Sequence, residues 1–318
     1  MSAQQPIKRA AQGSRVEILP GGAEKAPEGR RPLAAREDRC WNLTPAIQQR
    51  LEAELVQSFL PAARVLTGAN TDTNTGTNTD TDTDTGAGSG LETRLAAFVA
   101  DFFPLYRDRP IANNKGGGLI NDSLCLYLAA RLLTPEFILE SGSYQGHSAW
   151  LLRQSCPTAR IVSCDIDHSQ LLYRTEGVHY HEGDWMGADL PDFDAESALI
   201  WFDDHIDHAR RLQEAAARGF RHALFDDNFP ATNLYATGGV PVPTLAMVRD
   251  DWLTDGCEIR WSRRGKTYRY IHDLAHAQQA RALIGDYAPL PDLTALTRYS
   301  PPSGMTYLRI LPPEKPSA

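Results

Sequence analysis

The spacing of apolar residues changes near residue 136. Before it, apolar positions recur every three or four residues, the period of a helix that buries one face. That spacing predicts a helix in "AIQQRLEAELVQSFLPAARVL", opened by Thr44 at the N-cap and Pro45 at the first turn. A second is predicted in "LETRLAAFVADFFPLY", and a third follows the glycine-rich stretch in "RPIANNKGGGLINDSLCLYLAARLL". After Glu136 short, nearly continuous apolar runs alternate with helix-compatible stretches. "FILES", "RIVSCDI", "VHYHEGD", "ALIWFDD" and "HALFDD" read as strands, and "HSAWLLRQ" and "HARRLQEAAARG" as helices between them. Apolar strands alternating with helices predict an α/β fold, a Rossmann-like, doubly wound, mainly parallel sheet covered on both faces.

Between the first two helices, "TDTNTGTNTDTDTDTGAGSG" alternates like a strand but offers no apolar face to bury, so residues 71–90 read as a low-complexity linker. Its aspartates lack the glycine and distal glutamate of a calcium loop. Residues 1–43, rich in Gly, Pro, Ala and Arg without periodicity, read as a disordered N-terminal segment. The resulting division is 1–43 disordered, 44–70 a helical appendage, 71–90 linker and 91–318 the strand-helix domain. Within that domain, 229–305 is read as substrate-lid insertions. "ATNLYATGGVPVPT" and "LIGDYAPLPDLTALTRYSPPSGM" are too elaborate for plain connections. "EIRWSRRGKTYRYIHD" reads as paired strands about a glycine turn and "TYLRIL" as a last strand.

Composition narrows the functional classes. A net charge of −8 with dispersed basic residues argues against nucleic acid as partner. The longest apolar run falls short of the roughly 20 residues of a membrane span. Five cysteines with no CxxC pairing favour a reducing, cytoplasmic setting. A small-molecule acceptor is the expected partner, and the sequence leaves the oligomeric state open.

Open α/β sheets bind ligands beyond the carboxyl ends of their strands. There this sequence places Glu140, Asp165, Asp184, Asp203, Asp204 and Asp227. The first strand ends on Glu140 and a turn with Gly142 and Gly146, spaced E-x-G-x-x-x-G rather than the G-x-G-x-x-G of a pyrophosphate site. Asp165 ends the next strand, where a carboxylate can accept ribose hydroxyls. Gly183 and Asp184 end the third.

This pattern resembles motif I of class I S-adenosylmethionine (SAM)-dependent methyltransferases. "ILESGSYQGHSAWLL", "RIVSCDID", "LIWFDDHID" and "LFDDN" together resemble catechol O-methyltransferase and its metal-dependent relatives over about residues 110–230. The resemblance implies a SAM-dependent O-methyltransferase acting on a small polyhydroxylated acceptor, phenolic or sugar-like. It implies SAM contacts at Glu140, Gly142, Tyr144, Gly146, Ser148, Asp165, Asp184 and His205, and ligands for Mg2+ at Asp204, Asp227 and Asn228. Such an oxygen-only set suits a hard cation that acidifies a bound hydroxyl. Where that family has a lysine, three residues after the first metal aspartate, this chain has Asp207, so Asp207, His208 and His205 are the candidate bases. A SAM-binding protein without turnover and a metal-dependent oxidative enzyme are the competing readings. Tyr235, Trp261 and Tyr299 are aromatic candidates for an acceptor pocket, against the simpler expectation that they pack in a core.

Overall fold

The computed structural model describes residues 15–17, 44–69, 85–114, 116–236, 240–263, 265–299 and 301–313. The chain begins with a short strand, β1 (Arg15–Glu17), and three helices, α1 (Pro45–Leu66), α2 (Thr85–Arg107) and α3 (Ile120–Leu133). Strand and helix then alternate through β2 (Phe137–Ser141), α4 (His147–Ser155), β3 (Arg160–Asp165), β4 (Val178–Glu182), β5 (Ala198–Phe202), α5 (His208–Arg218) and β6 (His222–Phe225). The remainder holds α6 (Leu245–Arg249), β7 (Glu258–Arg263), β8 (Lys266–Ile271), α7 (Leu274–Arg281), β9 (Ile284–Pro289), α8 (Thr294–Thr297) and β10 (Thr306–Ile310).

The main sheet has the order β4-β3-β2-β5-β6-β10-β9, parallel from β4 to β6, with β10 antiparallel to both its neighbours. This is the expected Rossmann-like, doubly wound, mainly parallel architecture. Strands β2 and β5 are buried at every position because helices cover both faces. Helices α1 to α4 pack on one face around Phe59, Phe102, Leu124 and Leu151. Helices α5 to α7 pack on the other around Leu212, Leu245 and Ala280. Register fixes the site: Ser141 pairs with Cys164 and with Phe202, and Phe202 pairs with Phe225. The residues that follow, Gly142, Asp165, Asp203 and Asp226, therefore emerge side by side.

The domain reading needs four corrections. Helix α1 is no appendage: Leu55, Val56, Phe59, Ala62, Ala63 and Leu66 are buried in the same core cluster as α3 and β2. Helix α2 starts at Thr85, inside the stretch read as linker, and residues 71–84 lie outside the described residues. Residues 283–305 are not a lid, since they supply sheet strand β9 and put Leu290, Leu293, Tyr299 and Met305 into the core. Ala231, Leu234 and Val240, at the start of the other supposed lid, bury beside Cys257 and Trp261 under a second sheet, β1-β7-β8. Trp261 and Tyr299 are thus core residues, and the side chain of Tyr235 lies outside the described residues. Of residues 1–43, only 15–17 are described, as β1 paired in parallel with β7.

Candidate functional site

The turn after β2 is shaped by backbone that only glycine adopts easily. Gly142 has φ +107°, and a Cβ there would lie 2.4 Å from the Asp203 carbonyl oxygen. Gly146 has φ +92°, and a Cβ there would lie 2.1 Å from the Tyr173 carbonyl oxygen. The turn can thus run directly under the end of β5 and against the segment after β3. Its Tyr144, at φ +43°, donates its backbone N–H to Asp165 Oδ2 at 2.8 Å. Asp165, expected at the ribose, holds the glycine turn in place from the neighbouring strand.

Between this turn and the glycine-rich loop before α3 lies a cleft. Gly142, Ser143, Tyr144, Gln145 and Ser148 line one side, and Asn114, Gly117 and Gly118 another. Asp122, Asp203 and Asp226 also line it. They come from α3 and from the ends of β5 and β6. Burial, reinforced by Asp227, pushes the Asp122 carboxyl up to about 7. Asp203 and Asp226 are pushed up by burial and then by each other's neighbourhood of carboxylates. Asp122 and Asp226 were not among the expected site residues. Asp226 was legible as the first residue past its strand, but nothing in the sequence tied Asp122 to the strand ends.

Glu140 lies behind the cleft rather than on its surface. It is fully buried, accepts a hydrogen bond from Ser163 Oγ, and burial pushes its carboxyl up to about 7. Ser163 in turn contacts Ser143 Oγ at 2.5 Å.

Several expected site residues are engaged elsewhere. Asp204 Oδ2 accepts from Ser141 Oγ at 2.6 Å and from Arg211 Nε at 2.8 Å, while its Oδ1 takes the Ile206 N–H. Arg211, only 2% exposed, also binds Asp184 Oδ2 at 2.9 Å and Glu214 at 2.7 Å. Burial raises Asp184, yet its hydrogen bonds from Arg211 and the Met186 N–H hold it below the usual carboxylate range. Asp184 is therefore half of a strut, a correction to its expected place at the adenine edge. Asn228 is satisfied on both sides: Nδ2 donates to Tyr287 Oη at 2.8 Å and Thr306 Oγ1 at 2.7 Å, and Oδ1 takes the Ala246 N–H. With Asp204 and Asn228 so occupied, the expected set Asp204, Asp227, Asn228 does not fit a metal ion. Among the described residues no group of three or more His, Cys, Asp or Glu is arranged to hold one.

Two base candidates are also corrected. Asp207 caps α5, accepting the Ala209 and Arg210 N–H groups, and its Oδ2 contacts His276 Nε2 at 2.8 Å. His208 is buried with its ring against Phe225, and burial pushes it down to about 3. His205 remains. Half-exposed beyond β5, its Nδ1 lies 3.5 Å from Asp227 Oδ2. Both residues have left-handed backbone, φ +56° and +50°. Such geometry in non-glycine residues is costly and concentrates at functional sites.

No family model matches the chain, and no curated protein matches it. Among solved structures it is similar to a CmcI protein with SAH, at 17% identity over 35% of this chain and 62% of that one, with a TM-score of 0.31. It is also similar to a Klebsiella pneumoniae protein named as an O-methyltransferase, at 18% identity over 62% and 82% of the two chains, with a TM-score of 0.38. A third is TomG of Streptomyces achromogenes, an O-methyltransferase of tomaymycin synthesis in complex with SAM, at 16% identity over 64% and 85%, with a TM-score of 0.36. The chain thus spans less than two thirds of the CmcI protein's length. Similarities this low carry no argument on function, which rests on the chain's own strand-end geometry.

Proposed function

We propose that the protein is a SAM-dependent O-methyltransferase that methylates a hydroxyl of a small polyhydroxylated acceptor. The observation that carries this reading is the cleft at the carboxyl ends of β2, β5 and β6, where a glycine turn held by Asp165 meets a second glycine-rich loop. The turn is too differently spaced for a pyrophosphate, and the cleft lining suits a cationic, hydroxyl-bearing ligand better than an anionic one. SAM would supply a methyl group on a sulfonium, ready for displacement by an oxygen nucleophile.

The chain's residues divide the remaining work. Gly142 and Gly146 let the turn pack under β5 and against Tyr173, and Gly142, Ser143, Tyr144 and Ser148 stand at the cleft wall. Asp165 fixes the turn. Beside it, Ile166 is 80% exposed and offers an apolar face for a nucleobase. The acceptor's proton would pass to His205 at Nε2, with Asp227 facing Nδ1 to orient the ring and stabilise the imidazolium. The magnesium expected from the sequence has no fitting donor set in Asp204, Asp227 and Asn228.

The test is incubation with methyl-labelled SAM and a panel of catechols and polyols, each with Mg2+ and with EDTA, beside calorimetric titration of SAM. Labelled product from any hydroxyl acceptor supports the reading. An enzyme that neither binds SAM nor labels any acceptor refutes it, and activity abolished by EDTA would require a metal site different from the expected one. His205→Gln should lower turnover about 100-fold or more with SAM affinity kept.

A further inference from the structure

Among the described residues, the cleft presents hydrogen-bond acceptors with no positive partner. Asp122, Asp203 and Asp226 line it from three separate elements, and no described lining residue is a lysine or arginine. A second observation points the same way. Asn114, more than nine-tenths buried, lines the same cleft, and its Nδ2 is spent on the Gly118 carbonyl at 2.9 Å. Its Oδ1 is buried with no hydrogen-bond partner. A buried amide oxygen left this way costs free energy until a donor reaches it. Carboxylates crowded at one place likewise cost free energy until a cation or protons neutralise them.

Resting on the SAM reading above, we propose that this cleft selects its ligand by charge. The three carboxylates face the sulfonium and Asn114 Oδ1 takes a hydrogen from the α-ammonium, so the cleft prefers SAM to its neutral-sulfur product, S-adenosylhomocysteine (SAH). The two ligands share the nucleoside and the amino-acid end and differ by one methyl and one positive charge at sulfur. Glycine-turn contacts reach both alike, so they cannot discriminate. Groups that respond to charge at the sulfur can do so, and in a partly desolvated cleft such groups act more strongly than in water. Loss of the methyl group would remove the attraction that held the donor, which favours product release over product inhibition.

The test is calorimetric titration of the full chain with SAM, with SAH and with sinefungin, the analogue in which an amine-bearing carbon replaces the methylsulfonium. SAM and sinefungin should each bind about tenfold or more tightly than SAH, a difference of about 1.4 kcal/mol. Asp226→Asn and Asp122→Asn should each shrink that ratio by weakening SAM and sinefungin while leaving SAH near its wild-type affinity. The wild-type comparison stands alone if a variant does not fold. SAM, sinefungin and SAH binding equally to wild type would overturn the proposal while leaving the methyltransferase reading intact, and so would folded Asn variants that weaken all three alike. Mg2+ added at millimolar concentration should not be needed for the preference, and a preference seen only with Mg2+ would also overturn it. Binding of none of the three would refute the SAM reading beneath it.

Discussion

Removing the guanidinium of Arg211 should destabilise the fold far more than an ordinary surface substitution. The side chain is 2% exposed and ties Asp204, Asp184 and Glu214 together at 2.7–2.9 Å. Asp204 and Glu214 are mostly buried, with side chains 13% and 17% exposed, whereas Asp184 is 38% exposed and its share must be discounted for solvent screening. A single contact of this kind is worth about 4 kcal/mol at an effective dielectric of 20. Part of that is offset by the desolvation that Arg211 itself no longer suffers once removed. Arg211→Met keeps most of the packing volume and leaves two mostly buried carboxylates uncompensated, so the expected loss is about 3–5 kcal/mol. Urea unfolding at pH 7 measures it. The sign with pH is also fixed. Asp184 titrates below its usual range in the fold, so its contribution is present above its unfolded pKa of about 3.9 and is lost as pH falls through its folded value. The gap between wild type and Arg211→Met should therefore narrow on acidification below about pH 4. A loss under about 1 kcal/mol at pH 7, or a gap that stays constant down to pH 3, would refute the strut.

Deleting residues 1–66 removes α1 with its buried Leu55, Val56, Phe59 and Leu66, roughly 6–12 kcal/mol of burial, comparable to the whole stability of a domain. The truncated chain should be recovered unfolded or aggregated, and a cooperative thermal transition near that of the full chain would contradict the packing. Gly142→Ala forces a Cβ to within 2.4 Å of a backbone oxygen at φ +107°, so it should cost about 3 kcal/mol or more by urea unfolding. Asp207→Ala should cost about 0.5–2 kcal/mol through the lost helix cap while leaving turnover within a few-fold of wild type, and a 100-fold fall in turnover would restore Asp207 as a base. Glu140 is raised to about 7, so its favourable contribution is present below its unfolded pKa near 4.3 and lost as pH rises through 7. Glu140→Gln should flatten the decline in stability between pH 5 and pH 8, and an unchanged slope would show that Glu140 does not titrate there.

The strands were legible because burial on both faces writes itself into sequence as short unbroken apolar runs. "FILES" is the observed β2, and β3, β4, β5 and β6 end within two residues of expectation. The glycine turn was legible for a related reason. Backbone at φ +107° pressed against a neighbouring carbonyl admits almost no other residue, so its spacing survives as a motif. Helix α1 was also legible as a helix, but not its role. An amphipathic face has the same spacing whether it stands apart or seals a core, and only the fold shows Phe59 buried beside α2 and α3.

The sequence alone determined which residues stand at the strand ends, and the tertiary structure decided which of them face the cleft. At the end of β5 two adjacent aspartates point to different surroundings: Asp203 lines the cleft and Asp204 turns to Arg211 and Ser141. Nothing local separates them. The choice is made by an arginine seven residues further on, buried by the docking of α5. Asp122 reaches the cleft only because α3 packs over the glycine turn. Local spacing records the backbone's own restrictions, while the partner of a charged side chain is set by which distant elements bury it.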